Sequence, residues 1–237
     1  MPDPSGSLRI YAPGSLSPLR EAILVAFHQA VPEVDAEFAP PAYSGVLAER
    51  IRAGAPADVF ISANIRYPTE LHVAGLAGQP QPMARNRLSL VSRAGLEPPL
   101  ASVADLARPG LRLVIPPPID PLGEYALQML ERAGLATAIS AKRGNDEVRE
   151  HLASLRNWLA TGEVDAAVLY ASMVNAFPGT RSLALPPALD MHDQVLFAIC
   201  VIGRDGAPHP AAGRFVSWML GPAGQATLRA GGFLPLD

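Results

Sequence analysis

Lysine is almost missing from this sequence: Lys142 is the only one in 237 residues, and the remaining basic charge falls on scattered arginines. With a net charge of −3 and no cluster of cations, the chain has no electrostatic footprint for nucleic acid, and no such partner is expected. Cysteine is equally scarce. Cys200 is the single one, which excludes an intramolecular disulfide and a cysteine-based metal site; in the apolar run "VLFAICVI" it reads as a small buried hydrophobe. No run approaches the ~20 apolar residues that span a bilayer. The first ten residues, "MPDPSGSLRI", have neither a charged start nor an apolar stretch, so no signal peptide is expected in this chain. Two readings follow, a mature exported form whose signal has been removed or a cytoplasmic protein. What the chain has instead is 49% hydrophobic and only 17% charged residues, a composition that folds around cores.

Catalytic and cofactor signatures are missing as well. His28 falls inside an amphipathic helix, and His72, His151, His192 and His209 are dispersed without HExxH spacing. There is no G-x-S-x-G elbow, GxGxxG or Walker sequence. Nothing assembles a nucleophile, a base and an orienting group, so neither an enzyme nor a cofactor is expected. Asp120 and Tyr170 are the only groups on offer to a catalytic reading.

Short apolar strands alternate with helices along the chain. Strands are expected at 8–13, 34–40, 57–63, 87–93, 111–116, 164–172 and 194–203, and helices at 19–31, 44–54, 102–108, 124–134 and 146–161. Residues 211–233 read as two helices broken at Gly221-Pro222. Pro18 suits a first helical turn, which puts Ser17 at the N-cap of the first helix. This rhythm implies an α/β fold with mostly parallel sheets flanked by helices. The proline-rich stretch 78–86 and the segment 186–193 mark places where the chain changes lobe, and two lobes joined twice leave a cleft suited to a small ligand.

Four strand-to-helix junctions carry small or turn-forming residues: "APGSLSP" at Ser15, "PPAYSG" at Ser44, "DPLGEYA" at Leu122-Gly123, and "GNDEV" leading to Val148. In a parallel sheet such junctions share the carboxyl edge. Helix N-termini there present free N–H groups and partial positive charge, which suits an anion. Ser15 and Ser44 add hydroxyl donors, and Tyr170, ending a strand, adds a phenol. Taken singly, each residue is as well explained by capping or by a strand end.

These junctions, in this order, resemble the molybdate-binding proteins of ABC importers, a family of two-lobed periplasmic-binding type. The likeness runs from "LRIYAPGSLSPLREAI" to "GPAGQATLRAGGF" and is most specific in "LAERIRAGAPADVFISA", with "PLGEYA" and "DAAVLYAS" beside it. The resemblance implies one lobe from 1–86 with 199–237 and another from 87–198, with hinge strands near 87–93 and 194–203. It implies a tetrahedral oxyanion held by hydroxyl and backbone donors, with molybdenum or tungsten present only within the oxyanion. Carried over residue by residue, the contacts fall on Ser15, Ser44, Leu122, Val148 and Tyr170, with Leu122 and Val148 acting through backbone N–H. A monomer serving a membrane permease, and a periplasmic location, are implied too. The pattern departs at "PPAY", which places bulky Tyr43 before Ser44, and at "IPPPID", which places Asp120 two residues before Leu122. Asp120 is expected to face solvent; otherwise it, Tyr43 and Gly14 shape the pocket. Sulfate or a small organic acid as ligand, and a cytoplasmic anion sensor or storage domain, are the alternative readings.

Overall fold

The computed structural model describes residues 6–143, 148–149, 154–203 and 208–236. The chain divides into two compact units, Met1–Arg85 with Val195–Asp237, and Asn86–Gln194.

In chain order the first unit begins with β1 (Leu8–Tyr11) and a 3-10 helix (Gly14–Leu19) that runs into α1 (Arg20–Ala30). Then follow β2 (Ala36–Phe38), α2 (Ser44–Arg52), β3 (Val59–Ser62), α3 (Arg66–Val73) and β4 (Gln81–Arg85). The second unit holds β5 (Leu88–Arg93), a 3-10 helix (Val103–Ala107), β6 (Leu113–Val114), α4 (Pro121–Arg132) and α5 (Ala136–Arg143). It continues with β7 (Val148–Arg149), α6 (Leu155–Thr161), β8 (Ala166–Tyr170), a 3-10 helix (Ala171–Ala176) and β9 (Thr180–Ala184). The chain returns to the first unit as β10 (Leu196–Val201), α7 (Ala212–Leu220) and α8 (Pro222–Ala230).

Each unit has a five-stranded sheet, ordered β2-β1-β3-β10-β4 in the first and β7-β6-β8-β5-β9 in the second. The sheets are mostly parallel, as expected, with one strand reversed in each. In the first, β2, β1, β3 and β4 run the same way and β10 runs antiparallel to its neighbours β3 and β4; in the second, β7, β6, β8 and β9 run the same way and β5 runs antiparallel to β8 and β9. A parallel pair requires a crossover between its strands. The chain enters β5 and β10 directly after changing unit, with no crossover helix before either, and both pair antiparallel. The proline-rich stretch 78–86 contains β4. Its Pro82 lies on an edge strand, at a register irregularity opposite Ala198, where a missing N–H is tolerated.

A correction concerns the helix expected over 146–161. Val148 and Arg149 form a strand paired with Leu113 and Val114, and helix is described over Leu155–Thr161; residues 146–147 and 150–153 lie outside the described ones. The core of the first unit gathers Tyr11, Leu47, Ile51, Phe60, Leu71 and Cys200. Cys200 is fully buried there, and burial pushes its thiol up to about 12. Edge-to-face rings tie α1 to α7, with Phe27 lying 5.0 Å from Phe215 and 5.4 Å from Trp218.

In the second unit Asp165, just before β8, fastens the entries of β6 and β8 to the exit of the antiparallel β5. Its carboxylate accepts from Arg93 Nε at 2.7 Å, and from Arg112 N, Nε and Nη2, each at 2.9 Å. Burial pushes Asp165 upward, but these charge-assisted bonds win and hold it well below the usual carboxylate range. A depressed carboxyl stabilises above its unfolded value and loses that contribution as pH falls. Asp165→Ala is therefore expected to cost about 2 to 3 kcal/mol at neutral pH, discounted for the exposure of Arg112. In urea denaturation the gap to the parent chain should narrow below about pH 4.

Candidate functional site

In the first unit the exits of the three parallel strands are fastened to one another. After β1, Pro13 forms a parallel bridge with Ala42, and Gly14 N donates to Ala42 O at 3.3 Å. Arg20 donates through Nη2 to Ala12 O at 2.7 Å and through Nη1 to Ala39 O at 2.8 Å, with its guanidinium over the Phe38 ring. Partial burial lowers the Arg20 pKa. After β3, Ala63 N donates to Ser44 Oγ at 3.1 Å. Three loops distant in sequence thus meet at one sheet edge.

Ser44 is fully buried as the first residue of α2, behind an extended, half-buried Tyr43. Its oxygen accepts the Ala63 N–H, which leaves the hydroxyl proton to donate. Ser15 differs. Its Oγ is buried and has no hydrogen-bond partner among the described residues, an arrangement that costs free energy unless something else supplies an acceptor. A Cβ added at Gly14 would meet nothing within 4 Å, so no packing in this unit requires glycine there. The expected cap at Ser17 is corrected: helical structure begins at Gly14 behind Pro13, Leu16 N donates to Pro13 O at 3.0 Å, and Ser17 is exposed.

In the second unit α4 begins immediately after Asp120. The expectation that Asp120 faces solvent is overturned: it is 7% exposed, and its Oδ1 accepts the Leu122 N–H at 3.0 Å. An aspartate ahead of proline at the first helical position is an N-cap, and the cap draws the side chain inward. The Leu122 N–H, expected to be free for an anion, already has this carboxyl as its acceptor. Burial pushes Asp120 up to about 7, against the lowering effect of that bond. Gly123 is sterically required, since an added Cβ would stand 2.2 Å from Pro116 O. Its absence lets α4 start close against the chain leaving β6.

Tyr170 ends β8, the parallel neighbour of β6, and is 1% exposed. Burial raises its phenol well above the usual value, and the charges of Asp120, Tyr125 and Glu124 add to this, so it remains a protonated donor. Tyr170 and the Asp120–Leu122 turn therefore share the exit side of adjacent strands. Val148 does not join them. It opens an edge strand in register with Leu113, the first residue of β6, and not a helix.

The structure thus groups Ser15 with Ser44, and Leu122 with Tyr170 and Asp120. Sequence reasoning missed the Arg20 clasp and the Ala63–Asn64 turn, where buried Asn64 Oδ1 accepts from Ser62 Oγ at 3.1 Å and from Tyr67 N at 3.3 Å. An asparagine directly after "FISA" was the available signal, since it can cap the helix that follows.

Two α/β units, each with donor-bearing loops at the exits of its parallel strands, are the build of a solute-binding protein. The chain belongs to the bacterial extracellular solute-binding protein family, whose model matches residues 8–234. It is 32% identical over 229 residues to the molybdate-binding protein ModA of Mycobacterium tuberculosis, spanning 96% of this chain and 84% of that protein. The periplasmic molybdate-binding protein of Azotobacter vinelandii shares the fold, with a TM-score of 0.80 at 24% identity over 98% of this chain and 100% of that one. The sulfate-binding protein SubI of Mycobacterium tuberculosis does so too, with a TM-score of 0.78 at 17% identity over 98% and 87% of the two chains. No described helix is long and apolar enough to cross a membrane.

The two serines should separate in a stability measurement without ligand. Ser44→Ala removes the acceptor of a buried N–H and should cost about 1 to 3 kcal/mol in chemical denaturation. Ser15→Ala removes a hydroxyl that has no partner, and should be neutral or slightly stabilising. Equal losses for both would mean that Ser15 is already bonded in the free protein.

Proposed function

We propose that this protein captures a tetrahedral oxyanion, molybdate or tungstate, in the periplasm and delivers it to the permease of an ABC importer, without catalysis and as a monomer. The observation that carries this reading is the buried, unpartnered Ser15 hydroxyl, a donor set at a strand exit beside a second buried serine. The relative named as molybdate-binding supports the choice of ligand.

In this reading Ser15 and Ser44 donate from the first unit, and Tyr170 and the backbone N–H of Leu122 from the second, while Val148, at the entry of β6, takes no part. Oxyanion oxygens only accept, so a set of hydroxyl and amide donors matches them without needing a lysine or arginine. Gly14 and Tyr43 set the width of the pocket.

Isothermal titration of the ligand-stripped protein with molybdate, and with sulfate for comparison, tests this. Molybdate should bind, and Ser15→Ala and Tyr170→Phe should each weaken it by about 1 to 3 kcal/mol, the worth of a hydrogen bond to a charged acceptor. Unchanged affinity in Ser15→Ala would remove that residue from the site. If molybdate gave no heat and sulfate did, the ligand would be the smaller anion.

A further inference from the structure

Asp120 places a carboxyl where the proposed site has its backbone donor. It is 7% exposed and shares a hydrogen bond with Leu122 N at 3.0 Å, at the exit of β6 beside the exit of β8, where Tyr170 stands. The other titratable groups acting on Tyr170 are Glu124 and Tyr125 of α4 itself. Cations on the neighbouring elements are committed elsewhere. Lys142 of α5 donates to the carbonyls of Arg108 and Leu111, Arg132 at the far end of α4 pairs with Asp193, and Arg93 of β5 pairs with Asp165. Among the described residues, no cation is bonded to the Asp120 carboxyl.

An ionised carboxylate and an oxyanion cannot both accept at the Leu122 N–H without strong repulsion, and burial makes that repulsion worse. A proton resolves the conflict. The protonated carboxyl keeps one oxygen on the Leu122 N–H and turns its hydroxyl into a donor for a ligand oxygen, joining Tyr170 in a set made only of donors.

We infer that the oxyanion is bound together with one proton held on Asp120, whose carboxyl hydroxyl donates to the ligand and makes capture proton-coupled. This rests on the oxyanion reading above and adds to it a residue that determines affinity by its protonation state. The balance is simple: free protein with ionised Asp120, one anion and one proton from solvent give the complex, and no other bond changes. Burial brings the proton within reach near neutrality, since it pushes the carboxyl of the free protein up to about 7.

The test is titration of the full chain with sodium molybdate from about pH 6 to about pH 9, a range in which the anion itself carries no proton, while Asp120 titrates. Affinity should hold up to about pH 7 and then fall about tenfold per pH unit. At about pH 8.5 the binding heats in buffers of different ionisation enthalpy should report uptake of about one proton. Asp120→Asn, which keeps the cap and carries a permanent N–H donor, should bind molybdate with no pH slope and no proton uptake. Asp120→Ser, also a capping residue, gives the same readout if the asparagine variant does not fold. Molybdate binding that is flat with pH in the parent chain, or a slope that persists in the variant, overturns this inference and leaves the oxyanion reading standing. No binding of molybdate or sulfate at any pH overturns the oxyanion reading itself.

Discussion

Parallel strands all leave their sheet at the same edge, and the candidate site depends on that constraint. In the first unit the exits of β1, β2 and β3 are tied by the Pro13–Ala42 bridge, the Arg20 clasp on Ala12 and Ala39, and the Ala63 N–H on Ser44. These bonds fix two hydroxyls at one edge before any ligand arrives. Preorganisation of this kind lowers the ordering cost of binding. The buried Ser15 Oγ, which has no partner among the described residues, is the local cost of that arrangement.

Two aspartates of the second unit show how surroundings set function for one residue type. Asp165, buried among the hydrogen-bonding groups of Arg93 and Arg112, is kept ionised and holds three strand ends together. Asp120, at the opposite end of the same parallel strands, receives one backbone N–H and, among the described residues, no cation, and its ionisation is pushed up to about 7. One is a permanent anion and belongs to the scaffold. The other sits at the proton-exchange boundary of neutral solution, beside the phenol proposed to hold the ligand.

Much of this was legible in the sequence, and the exceptions have physical reasons. The alternation of apolar strands and amphipathic helices located β1, α1, β2, α2 and β3 closely, because local periodicity determines those elements. The serine positions at strand exits followed from the same logic. β4 was hidden by its prolines, which a sheet tolerates at an edge and a register irregularity. Val148 was misplaced because "GNDEV" has the composition of a helix start, while pairing with Leu113 decides its conformation. The inward turn of Asp120 was readable in the Asp-Pro pair as a cap. Its burial was not, since that depends on how closely α4 approaches Pro116 at Gly123.

The most direct test of the account is a crystal structure of the protein grown with molybdate, with anomalous scattering recorded at the molybdenum edge. The account predicts one strong peak, its oxygens in hydrogen-bond contact with Ser15 Oγ, Ser44 Oγ, the Tyr170 hydroxyl and the Asp120 carboxyl. A peak remote from these side chains, or none in crystals grown at saturating molybdate, would contradict it.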